Sequence, residues 1–333
     1  MPAGHAASLT PDEARQLHEQ AIVIDTQQPP ITTGIVYTDG MREAVEELAA
    51  QGRTRAEAGP VVEAALVRDI QTSSAAREMY LDMWKQSGVT AACGTYSGSH
   101  RLSSSFESAI TKIANAQAIV SALGDDMLIA RSAADVERAG EEGKRAVIID
   151  FQNTVAFGDD LDRIPLFYGL GLRMVQLTYN LQNLAADGCT ETYQGGLTYR
   201  PGNGRAAQRP EHSHDVSHCS EKTGWDAMDV SSAPVIVSHS SSKVVAEHDR
   251  GKSDELAKSI ADQGGYFGVV VIPVSIRDTP ERPSLISCAR SSIWSTFAAS
   301  ITWELERTRP HFGIVHQLAG RVSRLDGFHY LET

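Results

Sequence analysis

Short β-branched, apolar runs alternate along this chain with longer segments whose apolar positions recur at helical spacing. AIVID (21–25), VTAACGTY (89–96), MLIA (127–130), RAVIIDF (145–151), LRMVQLTY (172–179) and YFGVVVIPVSI (266–276) read as strands buried on both faces. Helices are predicted between them. Thr10 caps the first, with Pro11 at its opening position, and residues 41–86 hold two or three more, the clearest stopping at Gly88. SSSFESAITKIANAQAIVSALG (103–124), SAADVERAGEEG (132–143), LDRIPLFYGLG (161–171) and DELAKSIADQGG (254–265) continue the alternation, each stopped by glycine. Strands and helices in strict alternation imply a parallel sheet with right-handed crossovers. About eight such units over this length favour a closed α/β barrel, a TIM-like (β/α)8 fold forming one domain over 1–333.

Two windows break the pattern. YRPGNGRAAQRPEHSH (199–214) falls where a helix is due, yet it carries Pro201, Gly202, Gly204 and Pro210 and no apolar stripe. An interior proline costs a helix about 3 kcal/mol, so no stable helix is expected there. Residues 280–310 shift towards arginine and serine, although 292–306 could still be helical, and HFGIVH (311–316) is the candidate last strand. The barrel is therefore open to being incomplete near 199–214 and 280–317. These windows lose turn, helix and strand grammar together while their flanks keep it, as a shifted and restored reading frame would produce.

The chemistry concentrates in DVSHCSEKTGWDAMDVSSAPVIVSHSSSKVVAEHDR (215–250), which repeats one layout. A β-prone run ends in Ser-His, at His218 and again at His239, and each time a serine-rich turn opens a helical segment. Strand ends of neighbouring βα units converge on one mouth of a parallel barrel, so both imidazoles should face one pocket. A neutral ring nitrogen is the usual protein ligand for zinc. The plainer alternative is that each histidine is a polar strand-end residue bonded to backbone.

Composition narrows the partners. A net charge of −12 and pI near 5.4 argue against a broad nucleic-acid surface, and a small molecule or peptide fits better. Cys93, Cys189, Cys219 and Cys288 form no CxxC pair, so neither a zinc knuckle nor a redox dithiol is indicated. The start lacks the basic patch and apolar core of a leader, and no apolar run reaches the ~20 residues that span a bilayer. A cytoplasmic protein without a membrane partner is expected, and a homodimer is left open. GYFGVV and GLGLRM lack phosphate-loop spacing, and no GxSxG flanks Ser238 or Ser240.

Four stretches together resemble the membrane (renal) dipeptidase family of metallopeptidases. They are VIIDFQNTVAFGDDLDRIPLFYGLGLRMVQLTYNLQNLAADGCTE, GGLT, DVSHCSEKT and PVIVSHSSSKVVAEHDRGKSDELAKSIADQGG. The resemblance runs from about Ile22 to Ser275 and implies a metal-dependent amidohydrolase barrel that hydrolyses dipeptides at a two-zinc site. It places His218 and His239 on two metal-binding histidines and Arg250 on the arginine that holds the substrate's terminal carboxylate. A guanidinium suits that task because its donors match a carboxylate two by two.

Other family positions differ. Gln27 and Pro29 stand where members have a metal-binding His and Asp, and DFQN (Asp150 to Asn153) replaces the stretch with the bridging Glu. Tyr179 replaces a histidine thought to polarise the scissile carbonyl, and Gln317 replaces an aspartate expected to manage protons. FQN and LTYN look like a variant bacterial branch. Two hard cations need bridging carboxylate, which Gln27, Pro29 and Gln317 do not offer. One zinc or other divalent ion is therefore expected, held by His218, His239 and a candidate third ligand, Asp150. Asp215, three residues before His218, points to the opposite face.

Three functions follow from this reading. The first is a hydrolase in which Arg250 positions a carboxylate and Tyr179 donates to the developing oxyanion. The second is a non-catalytic barrel that binds a small carboxylated ligand through Arg250, and the third is a scaffold serving only in assembly.

Overall fold

In the computed structural model, the described residues are 10–27, 35–36, 38–191, 195–197, 213–244, 247–270 and 329–330. Threonine and serine caps begin many of its helices, Thr10 as read from the sequence. Thr10 and Glu13 form a reciprocal capping box at α1 (Pro11–Gln20), and Thr54 and Glu57 form another at α3 (Arg55–Thr72). Ser73 caps α4 (Ser74–Ser87), which ends on Gly88 at φ 68°, the left-handed stop that glycine supplies. With α2 (Asp39–Ala50), these helices bury Met41, Val62, Ile70 and Trp84 against Val23 and Ala92.

The strands are β1 (Ile24–Asp25), β3 (Ala91–Thr95), β4 (Met127–Ile129), β5 (Arg145–Phe151), β6 (Leu172–Gln176), β7 (Ser213–Asp215), β8 (Val235–Ser240) and β9 (Phe267–Val269). They form one eight-stranded sheet in the order β1-β3-β5-β6-β7-β8-β9, all pairs parallel. β4 pairs with residues 145–147 of β5 and β6 with residues 149–151, so both share the β5 edge opposite β3. A short antiparallel pair, β2 (Ile35–Val36) with β10 (His329–Tyr330), lies outside this sheet. Helices α5 (Leu102–Ala122), α6 (Ala133–Glu141), α7 (Arg163–Leu170), α8 (Glu221–Val230) and α9 (Asp254–Asp262) supply the crossovers.

The sheet curls. The hydroxyl of Thr26, just past β1, donates to the Ser238 carbonyl in β8 at 2.7 Å. A Cβ at Gly268 of β9 would sit 1.9 Å from that same carbonyl oxygen and 3.2 Å from Thr26 Oγ1, so the approach tolerates only glycine. The first and last strands of this sheet are thus brought together, as the predicted barrel requires.

Alternation sorts the faces. Ile149, Phe151, Leu172 and Val175 pack outward with α5 and α7 residues, and Val235, Val237 and Phe267 with α8 and α9 residues. The opposite parity carries Cys93, Asp150, Met174, Gln176, Asp215 and Ser238 inward, and the Cys93 thiol reaches Met174 Sδ across the interior at 3.3 Å. The candidate last strand 311–316, Gln317, Pro29 and almost all of 199–214 lie outside the described residues.

Candidate metal centre

Two adjacent parallel strands deliver the histidines. β7 ends at Asp215 and the chain turns through Val216 and Ser217 to His218, while His239 is the fifth residue of β8. Their Nε2 atoms are 2.9 Å apart and both side chains are buried. The two imidazoles of the repeated Ser-His layout therefore lie side by side.

Each ring's other nitrogen is held. His218 Nδ1 lies 2.6 Å from Asn180 Oδ1, and His239 Nδ1 lies 2.7 Å from Ser238 Oγ. Asn180 has φ 60°, the one non-glycine residue in the left-handed region among the described residues, a conformation asparagine tolerates better than most. Its carbonyl oxygen is pinned by Thr190 N at 3.0 Å and Thr190 Oγ1 at 2.8 Å. Gly188 packs so close that a Cβ there would stand 1.9 Å from that oxygen.

Tyr179 covers one face of the site. Its ring stacks on His218 at 4.2 Å and 22°, and the exposed His100 leans on it at 5.3 Å. Behind the histidines, the Arg250 guanidinium donates through Nη1 to the Ser217 carbonyl and through Nη2 to the His239 carbonyl at 3.1 Å. Lys252, 1% exposed, donates to the Cys219 carbonyl at 2.5 Å. Both cations are buried although they lie in a charged stretch, HDRGKSD (248–254).

Burial, reinforced by Arg250 and Lys252, holds both imidazoles well below the usual histidine range, so both are neutral near pH 7. Neutral imidazole is the metal-binding form. Burial also pushes the Lys252 ammonium down to about 8 and lowers the Arg250 guanidinium.

Asp150 is inside the barrel, 1% exposed, with Oδ1 unpartnered among the described residues, and desolvation followed by the nearby Asp215 pushes its carboxyl well above the usual range. It does not complete the ligand set as expected: no group of three or more His, Cys, Asp or Glu able to hold a metal occurs among the described residues. Asp215 likewise joins no such group among the described residues. It accepts hydrogen bonds from Ser217 and Ser238 instead.

The donor set fits one ion better than two. Ligands at ~2.0–2.1 Å around a tetrahedral ion stand about 3.3 Å apart, so the 2.9 Å spacing needs to open only slightly. No carboxylate bridges the two imidazoles among the described residues. Asn180, Ser238 and Lys252 escaped the sequence reading, because a residue that acts through a ligand carries no ligand spacing of its own. The Asn directly after Tyr179 and the Ser directly before each His were the available signals.

The sequence profile described as membrane dipeptidase (Peptidase family M19) matches residues 12–306. Dipeptidase tcpJ of Claviceps purpurea is 31% identical over 172 residues, 51% of this chain and 40% of that protein. Dipeptidase verJ of Clonostachys rogersoniana is 29% identical over 158 residues, 46% of this chain and 40% of that protein. Matched regions span between 32% and 54% of the first four curated relatives. Among solved structures, an amidohydrolase from Pseudomonas aeruginosa is 28% identical with TM-score 0.52, covering 77% of this chain and 64% of that one. A metallopeptidase from Rhodobacter sphaeroides, liganded with a phosphinate mimic of the dipeptide L-Ala-D-Ala, has TM-score 0.56 at 19% identity over 75% of this chain and 82% of its own, a likeness of fold.

Proposed function

The chain belongs to the membrane dipeptidase family, Peptidase family M19, and from that premise we propose that it is a metal-dependent hydrolase of the amide bond in a dipeptide or similar small substrate. The observation that carries this reading is the convergence of two neutral imidazoles, Nε2 to Nε2, at 2.9 Å. His218 and His239 would hold the ion, zinc or another divalent metal, and it would supply an acidified water and a polarised carbonyl.

The chain's own residues divide the remaining work. Arg250 uses two of its five N–H groups on backbone carbonyls, which leaves donors for a substrate carboxylate. Together with Lys252 it makes the floor of the site positive, which suits an anionic terminus. Tyr179 shields one face of His218 from water, and its phenol can donate to an oxygen that gains charge. The acidic net charge supports a small-molecule or dipeptide substrate over nucleic acid, and a cytoplasmic location and a homodimer are to be tested.

Elemental analysis of the purified protein, with turnover of a dipeptide panel before and after chelation, tests the proposal. About one divalent ion per chain and chelator-sensitive turnover are expected; a folded protein with no ion and no turnover would refute it. The second reading, a barrel that binds a carboxylated ligand without cleaving it, is favoured by the missing third acidic ligand among the described residues. It predicts ligand binding that survives chelation.

A further inference from the structure

Ser238 Oγ has one proton and three polar neighbours: Asp215 Oδ2 at very short range, Ser217 Oγ at 3.0 Å and His239 Nδ1 at 2.7 Å. The orientation of Asp215 decides where that proton goes. Its Oδ1 receives the backbone N–H groups of Ser217 at 2.9 Å and Ser238 at 3.1 Å, which can only donate, and the Ser217 hydroxyl at 2.5 Å. With Asp215 ionised, Oδ2 too is an acceptor, and a hydroxyl gives its proton to a carboxylate in preference to a neutral ring. With the Ser238 proton committed to Asp215, only His239 can supply the proton for its own contact with Ser238. His239 must carry hydrogen on Nδ1, and its Nε2 presents a lone pair.

His218 reaches the same state by another route. Asn180 Oδ1 lies 2.6 Å from Nδ1 and 3.4 Å from Cys189 Sγ. Burial pushes the Cys189 thiol up, so it stays a donor, and an oxygen facing two donors orients the amide. His218 then donates from Nδ1 as well.

We propose that Asp215 acting through Ser238, and Asn180 acting directly, are positioning residues that pin the proton on Nδ1 of His239 and His218, so that two Nε2 lone pairs face one gap with no proton between them. The alternative arrangement, one ring donating Nε2–H to the other, would fill the gap with a proton and close it to a cation. The device spans β6 to β8 and uses the parallel register in which Asp215 sits beside Ile236, two residues before Ser238. It rests on the metal reading for its purpose but not for its test.

The test is long-range nitrogen–proton NMR on full-length protein with 15N-labelled histidine, without metal and after zinc titration. The expected result is the Nδ1–H form for both rings, with or without zinc. Asp215→Asn, whose amide can donate to Ser238 and turn that hydroxyl towards the ring, should move His239 alone to the Nε2–H form and weaken zinc binding about 10–100-fold. Should Asp215→Asn fail to fold, Ser238→Ala is expected to mix the His239 tautomers and Ser238→Thr to restore them. Nε2–H on either ring of the unaltered protein overturns the proposal, as does an unmoved His239 in both Asp215→Asn and Ser238→Ala. Nδ1–H on both rings in a protein that takes up no divalent ion would sink the hydrolase reading while leaving this assignment standing.

Discussion

Lys252→Met removes a charge that folding strips almost wholly of water. The ammonium is buried among Cys219, Cys189 and Glu221 beside Arg250, and desolvation moves it from its ordinary 10.5 to about 8. A group whose folded-state pKa is depressed favours the native state only once it can lose its proton. Stability should therefore be lowest below pH 8 and should rise as pH increases towards 10.5, because over that window the unfolded chain binds more protons than the native one. At about 1.4 kcal/mol per pH unit the full swing is on the order of 3 kcal/mol. The methionine variant loses the swing and leaves the Cys219 carbonyl without its 2.5 Å donor, a cost of roughly 1–3 kcal/mol. At pH 7 the two effects oppose, so the variants should be of similar stability. By pH 10.5 the unaltered protein should be ahead by a few kcal/mol. Urea unfolding of both proteins at half-unit steps from pH 7 to 10.5 measures the difference, in which titrations common to both cancel. A difference that stays constant across the series would refute the reasoning.

Removing either imidazole, as His218→Ala or His239→Ala, should abolish stoichiometric zinc uptake and lower dipeptide turnover at least about a hundredfold while far-UV circular dichroism stays unchanged. At Asn180, Asn180→Ala should be about 1 kcal/mol less stable than Asn180→Gly, since φ 60° strains any residue with a Cβ, whereas both lose the bond to His218; urea midpoints decide it. Arg250→Met leaves the carbonyls of Ser217 and His239 unpaired and should cost roughly 1–3 kcal/mol for each, with KM rising for substrates that keep a free carboxylate and little changed for their amides. Trp84→Ala should cost about 3–5 kcal/mol in urea unfolding and leave zinc affinity unaltered, because Trp84 is 0% exposed in the cluster beneath α2 to α4.

Local patterning accounts for much of what the sequence made legible. Thr10, Ser73 and Ser132 each cap the helix expected after them, and AACGT and RAVIIDF are strands because β-branched and small apolar residues fill both faces of a parallel sheet. The pairing of His218 with His239 was legible for the same reason, since two βα units in succession put their strand ends side by side. What stayed hidden depends on register and tertiary burial. Alternation turns Asp215 away from His218 on its own strand, yet it says nothing of Ser238 on the next, to which it is joined. Lys252 looks like surface charge until the turn after β8 folds it under Cys219. Asp150 carries the ligand chemistry expected of it, but its carboxyl faces the barrel interior, where its electrostatic neighbour is Asp215.

The central claim is that one divalent ion sits between His218 and His239. Anomalous diffraction at the zinc edge, from crystals of the full chain grown with zinc, tests it most directly. The account predicts a single peak bonded by both Nε2 atoms at about 2.0–2.1 Å, with Asn180 and Ser238 still on the two Nδ1 atoms. Two imidazoles that remain 2.9 Å apart with no peak between them, or a peak elsewhere in the barrel, would contradict it.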